Sequence, residues 1–148
     1  MIGVDLSPNG RLLVSASFGR SVCIWDLRDG SRRKQWYGSR KFWSVSFHPA
    51  GRYVAAGDED AVLWVWDVRT GQLVTKYKIT CSVLDDSFKF LSVIFTSDGK
   101  RLTTARNETV QCWDFALLRD TSHHDGQTAV VAATGHIFKV NGREVRSS

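Results

Sequence analysis

Four groups of side chains in this 148-residue sequence have the types that catalysis or binding needs. His123, His124 and Asp125 offer imidazole and carboxylate donors suited to a metal ion. Adjacent residues rarely point at one ion, and residues 121–127 are polar throughout, so the stretch reads as a surface loop. Asp58, Glu59 and Asp60 could do acid–base work or hold a cation, or they could serve architecture. Ser44, Ser92 and His48 form no nucleophile elbow, because no GxSxG is present. Neither a P-loop nor a GxGxxG occurs, so nucleotide chemistry has no support. The fourth group is basic: Arg28, Arg32, Arg33 and Lys34, then Arg40 and Lys41. Trp36, Tyr37, Phe42 and Trp43 are interleaved with it, a mixture suited to phosphate contacts and base stacking. The alternatives are solvated charges beside packed aromatics, or a patch that receives an acidic peptide. The expectation is a chain that is no enzyme and takes no cofactor or metal.

Composition narrows the setting. Hydrophobic residues make up 43%, too many for a disordered chain, and the length suits one domain. No run approaches the roughly 18 to 20 apolar residues of a membrane helix, and Met1 to Asp5 has no signal-peptide character. Cys23, Cys81 and Cys112 lie far apart without a CxxC, which argues against a zinc cluster or a disulfide scaffold. An intracellular, reducing compartment follows, nucleus or cytoplasm, with no membrane partner.

The elements that must position these side chains repeat. Val4-Asp5-Leu6-Ser7-Pro8-Asn9-Gly10-Arg11 aligns with Val45-Ser46-Phe47-His48-Pro49-Ala50-Gly51-Arg52 and with Val93-Ile94-Phe95-Thr96-Ser97-Asp98-Gly99-Lys100. Each copy leads to a small-residue strand, a polar turn and a strand ending in Trp-Asp: Trp25-Asp26, Trp66-Asp67 and Trp113-Asp114. The tryptophans stand 41 and 47 residues apart (66 − 25 and 113 − 66). The Trp-Asp strands are apolar on both faces and must be covered on both sides. Four short antiparallel strands per unit, stacked between neighbours, make a propeller blade.

Repeats of this length ending in Trp-Asp resemble the WD40 family. The resemblance covers residues 1 to about 115 and implies an all-β fold: a partial WD40 β-propeller of about three four-stranded antiparallel blades plus a degenerate C-terminal segment. The repeats divide as 1–36, 37–77 and 78–115, with 116–148 a polar loop and strand or hairpin tail. Within that tail, residues 128–133 read as a strand and Asn141-Gly142 as a hairpin turn. The tail is expected to supply the third blade's outer strand and the first strands of the next. Three blades are about half of a seven-bladed ring, so the chain reads as a piece of a longer protein. The runner-up is that further copies close the ring.

The resemblance also assigns structural positions, and this sequence departs at several. The family's Gly-His pair is Gly38-Ser39 here. The turn aspartate is present as Asp60 but replaced by Gly19 and Asn107. The second-strand hydroxyl falls on Ser15 and Thr103, and on Ala56 in the second unit. No unit keeps the whole Asp-His-Ser/Thr-Trp hydrogen-bond set, so weakened blades are expected, each missing pair forfeiting about 1 kcal/mol.

Family ligands usually lie across the rim made by second-to-third-strand loops and outer-to-first connections. Carried onto this sequence, the contact set is Phe18, Arg20, Lys41, Trp43, Glu59 and Arg106, with Trp43 alternatively packed between blades. The connection 78–89 holds the extra length and is expected to overhang the same rim. Residues 66–74 and 92–100 are similar to fungal Tup-type transcriptional corepressors, whose propeller docks DNA-bound regulators. The function implied is a non-catalytic platform for protein or peptide partners, a corepressor being one version. The alternatives are a nucleic-acid-binding propeller using residues 28–43, or a WD40 module of a larger enzyme-linked protein.

Overall fold

The structure, a computed structural model, describes residues 3–79, 91–106, 109–120, 136–139 and 144–146. Its repeating unit starts at a turn. Between β1 (Gly3–Leu6) and β2 (Leu12–Ala16), Ser7 Oγ accepts from Leu12 N–H and Asn9 Oδ1 from Arg11 N–H, both at 2.9 Å. Thr96 and Asp98 repeat these bonds between β9 (Ser92–Phe95) and β10 (Arg101–Arg106). Between β5 (Phe42–Phe47) and β6 (Tyr53–Asp58), His48 takes over: its Nδ1 accepts from Ala50 N–H at 3.0 Å. That bond places the ring proton on Nε2, which donates to Gly99 O of the next turn at 2.9 Å. Gly99 itself sits at φ +72°, and a Cβ there would also strike the His48 ring.

Two sheets are built alike. The first runs β1-β2-β3-β4, with β3 (Ser21–Asp26) and β4 (Arg32–Tyr37); the second runs β5-β6-β7-β8, with β7 (Val62–Asp67) and β8 (Leu73–Lys78). All pairs are antiparallel. The third sheet follows this order through β11 (Thr109–Asp114) and then departs. Where the other sheets turn at Gly30 and Gly71, the chain enters α1 (Phe115–Asp120), which buries Phe115 and Leu118. The outer strand is β12 (His136–Lys139), paired with β11, so the tail supplies that strand. β13 (Glu144–Arg146) then pairs with β12 as a fifth strand instead of opening another sheet. A connection this short returns the chain beside the strand it has just left. Residues 80–90, Asn107, Glu108, 121–135 and Asn141-Gly142 lie outside the described residues. The readings made for the 78–89 connection beyond Ile79, the His123-His124-Asp125 loop and the 128–133 strand therefore lie there too.

The cores lie between sheets. Leu63 and Val65 of β7 pack with Tyr77, Val93, Leu102 and Trp113 toward the third sheet. Trp64 and Trp66 of the same strand pack with Val14, Ile24 and Phe42 toward the first. The inner strands β1, β5 and β9 are joined by side chains to backbone. Asp5 Oδ2 accepts from Phe47 N–H at 2.7 Å. Ser44 Oγ donates to Leu91 O and accepts from Val93 N–H, each at 2.9 Å, and Ser46 Oγ accepts from Phe95 N–H at 3.1 Å.

Inside the second and third sheets the tethers differ from expectation. Trp25 Nε1 donates to Ser15 Oγ at 3.0 Å, as expected. Trp113 Nε1 donates to Thr104 Oγ1 at 2.9 Å, not to Thr103, because β10 pairs Leu102 with Trp113 and the hydroxyl two residues on is Thr104. In the second sheet the carboxylate that ties the turn is Asp58 rather than Asp60. Asp58 is 1% exposed and accepts from Trp64 Nε1 at 2.9 Å, Asp60 N–H at 2.8 Å and Val62 N–H at 3.0 Å. Asp60 is half-buried and faces Arg40 instead. Trp66, opposite Val54 and two residues from Ala56, stacks on Trp36 of the first sheet at 4.9 Å and on Trp64 at 5.8 Å. Lys76 Nζ lies 4.3 Å from the Trp64 ring centroid.

Two stability predictions follow from these contacts. A Cβ on Gly57 would collide with the Leu91 carbonyl, so Gly57→Ala should cost about 1–3 kcal/mol in urea unfolding. An unchanged midpoint would show that the second and third sheets do not meet this closely. Asp58→Ala strands three donors and should cost about 3 kcal/mol. Asp60→Ala, losing one exposed ion pair, should cost under about 1 kcal/mol, and equal losses would refute the assignment of the tether.

Candidate protein-interaction rim

β5 carries a bulge: Phe42 pairs with Asp58 and Ser44 with Gly57, so the register shifts across Trp43. A bulge of this kind re-aims a side chain. Phe42 turns into the core, fully buried, while half-buried Trp43 meets Phe18 edge-to-face with ring centroids 5.2 Å apart. Phe18 comes from the turn between β2 and β3 and is 49% exposed. Lys41 Nζ lies 5.3 Å from its ring centroid. The connection 38–41 is held between both neighbouring turns: Gly38 N–H donates to Arg20 O at 2.8 Å, and Glu59 N–H donates to Lys41 O at 2.9 Å.

The structure therefore brings Phe18, Lys41 and Trp43 together, with Glu59 joined through its backbone. Arg20 is exposed at the Phe18 turn, at φ +65°, an uncommon conformation for a residue with a side chain. Arg106 ends β10 opposite Thr109, and its side chain lies outside the described residues. Two members were not foreseen. Arg40 Nε meets Asp60 Oδ2 at 2.9 Å, and Arg40 Nη1 meets Glu59 Oε1 at 3.9 Å, giving the rim an acidic–basic border. Opposite charges nineteen and twenty positions apart carry no local signal; only the closeness of the two loops makes them neighbours.

The basic stretch 28–43 does not form one patch. β4 crosses the sheet from the Arg28 end to the Tyr37 end, so Arg28 and Arg33 lie away from Arg40 and Lys41. Trp36 stacks on Trp66 and donates to Gly71 O at 2.9 Å, which makes it packing rather than a platform for bases. Tyr37 is the open aromatic of the group, 69% exposed.

At the Arg28 end, Asp26 and Asp67 of the Trp-Asp pairs are buried beneath arginines. Asp26 accepts from Arg28 N–H at 2.9 Å, from Arg28 Nη2 at 3.1 Å and from Arg33 Nη2 at 2.7 Å. Bonds from Arg28 and then Arg33 hold its carboxyl well below the usual carboxylate range. For Asp67, burial works against ionisation, but the Thr70 and Arg69 amides and the Arg52 guanidinium outweigh it and lower the pKa. Asp114 directly precedes α1, at its N-cap position. Among the described residues, no group of three or more His, Cys, Asp or Glu is placed to hold a metal ion. No helix among them is long and apolar enough to cross a membrane.

Comparison with known proteins matches this geometry. The family described as "WD domain, G-beta repeat" matches residues 2–26, which hold β1–β3, and 30–67, which hold β4 and then β5–β7 of the next sheet. Over those residues the chain matches the WD40 repeat family. Pre-mRNA-processing factor 19 of Oryza sativa subsp. japonica is 28% identical over 97% of the chain and 28% of its own length. The guanine nucleotide-binding protein subunit beta of the same species is 30% identical over 75% of the chain and 30% of its own length. Transcription initiation factor TFIID subunit 5 of Caenorhabditis elegans is 26% identical over 84% of the chain and 19% of its own length. The chain thus spans under a third of the length of each of these relatives.

The buried Asp26 generates a pH prediction. A carboxyl with a lowered pKa in the folded state adds stability that is complete above its unfolded pKa and fades as the pH falls. Stability should therefore drop between about pH 5 and pH 2, and drop less in Asp26→Asn. Parallel pH curves for the two proteins would contradict the pairing.

Proposed function

We propose that the chain is part of a non-catalytic WD40 platform that captures a protein or peptide across the rim of Phe18, Lys41 and Trp43. The observation that carries the reading is the β5 bulge, which brings Trp43 against a half-exposed Phe18 with Lys41 over its ring. Aromatic and cationic side chains at a loop cluster are the composition of binding hot spots. Glu59 and Arg40 border the cluster with both signs of charge, so they select partners by complementarity rather than bulk attraction.

Two relatives are named as subunits of assemblies, a G protein and a transcription initiation factor, which supports a platform role inside an intracellular complex. The corepressor version rests on residues 66–74 and 92–100, and a nuclear location accompanies it. Val4 and Leu6 of β1 and Ile94 of β9 are exposed apolar residues on the outward faces of the first and third sheets. Further blades, from the same chain or from other copies, are the partners that suit those faces.

The test is partner capture by the full chain, with bound proteins identified by mass spectrometry and affinities then measured. Phe18→Ala and Lys41→Glu should weaken a specific partner by about 2 kcal/mol, roughly thirtyfold, without changing the melting temperature. Undiminished affinity in both variants would remove the rim from the interface.

A further inference from the structure

The opposite end of the sheets carries a different chemistry. In each sheet the first turn is tied to the residue after Trp-Asp: Leu27 N–H donates to Arg11 O, Val68 N–H to Arg52 O and Phe115 N–H to Lys100 O, at 2.8–2.9 Å. Arg11, Arg52 and Lys100 therefore hold equivalent places on three adjacent sheets, a row of cations with the spacing of the repeat. Arg28 and Arg69, from the turns after Trp-Asp, lie exposed beside it. Within the row Arg52 is held by the buried carboxylate of Asp67, and beside it Arg28 is held by that of Asp26, so solvent meets guanidinium groups. An arginine held at one edge keeps its remaining N–H donors set for an anion. Asp29 and Asp98 are the exposed acids that interrupt the row.

The row runs into a cavity of about 390 Å³ between the second and third sheets. Its lining includes His48, Tyr53 and Phe115 with Lys100, Arg119 and Asp114. Arg119 reaches it from α1, donating to Tyr53 Oη at 3.0 Å and lying 5.3 Å from the Phe115 ring centroid. The volume lies within the range of small-molecule sites. Tyr53 and Phe115 pack on each other and on Arg119 and turn only their edges to the cavity. These edges, two cations and one carboxylate together match a nucleobase, whose flat ring fits the space and whose own edge offers both donors and acceptors.

We propose that this end binds single-stranded nucleic acid, its phosphates on the Arg11, Arg52 and Lys100 row and one unpaired base in the His48–Tyr53–Phe115 cavity. A single strand fits because a paired base cannot enter the cavity. An acidic peptide would meet the same cations but brings no flat ring with donor and acceptor edges for the cavity.

Fluorescence anisotropy with the full chain and a labelled single-stranded RNA of about 12 nucleotides tests this. Binding should weaken steeply with added salt. Arg11→Gln and Lys100→Gln, both exposed positions tied to the fold through their backbones, should each lower affinity about threefold and flatten the salt dependence. Lys78→Gln, an exposed lysine at the other end of the sheets, should leave binding unchanged. Absence of salt-sensitive binding, or wild-type affinity in both Arg11→Gln and Lys100→Gln, overturns the proposal. Equal affinity for poly-glutamate assigns the row to acidic proteins, and equal affinity for an abasic strand or a duplex refutes the base cavity.

Discussion

The structure depends on cover for β7. Leu63 and Val65 face one way, Trp64 and Trp66 the other, and apart from Asp67 at the strand's end neither face has a polar residue to meet water. A single antiparallel sheet cannot supply that cover, so the fold exists only as a stack. Stacking brings the inner strands close, and the stitching by Asp5, Ser44 and Ser46 satisfies backbone groups that burial would otherwise strand. Gly57 belongs to the same constraint: the second sheet comes so near Leu91 that no side chain fits between them.

Within that stack, blades solve one problem by different chemistry. The first and third sheets anchor the Trp-Asp tryptophan by a hydroxyl, Ser15 or Thr104. The second has Ala56 at that place and holds Trp66 by stacking, with Trp36 on one side and Trp64 on the other. Offset aromatic pairs contribute about 0.5–1.5 kcal/mol beyond the area they bury, comparable to the net worth of the hydrogen bond they replace. Loss of the family's hydrogen-bond set in this blade is therefore offset, and Asp58 restores part of it through Trp64.

The repeat was legible because turn chemistry and Trp-Asp spacing are local. Ser7-Pro8-Asn9-Gly10 and Thr96-Ser97-Asp98-Gly99 make the same bonds because the same donors and acceptors stand at the same offsets. Assignments that depend on register were less secure. Thr103 and Thr104 are adjacent hydroxyls, and one residue in the pairing of β10 with β11 decides which faces Trp113. Asp58 and Asp60 differ likewise: counting six residues back from Trp66 reaches Asp60, but the tryptophan that needs the acceptor is Trp64. α1 and the fifth strand follow no repeat, so repeat logic could not foresee them.

Reading the sequence as a line joined residues 28–43 into one basic, aromatic patch. A strand that crosses a sheet has two ends, and β4 sends Arg28 and Arg33 to one and Tyr37 to the other, next to the Arg40–Lys41 connection. The middle of the strand spends Trp36 on the core. Each end then gathers its charges from neighbouring sheets rather than from neighbouring residues: Glu59 and Asp60 come to Arg40, while Arg52 and Lys100 join the row that begins at Arg11. A rim bordered by both signs discriminates among protein surfaces, and a row mainly of cations attracts a repeated anion. Stacked repeats keep these two chemistries apart because every strand carries the chain from one end to the other, so a linear cluster is divided and distant residues are collected.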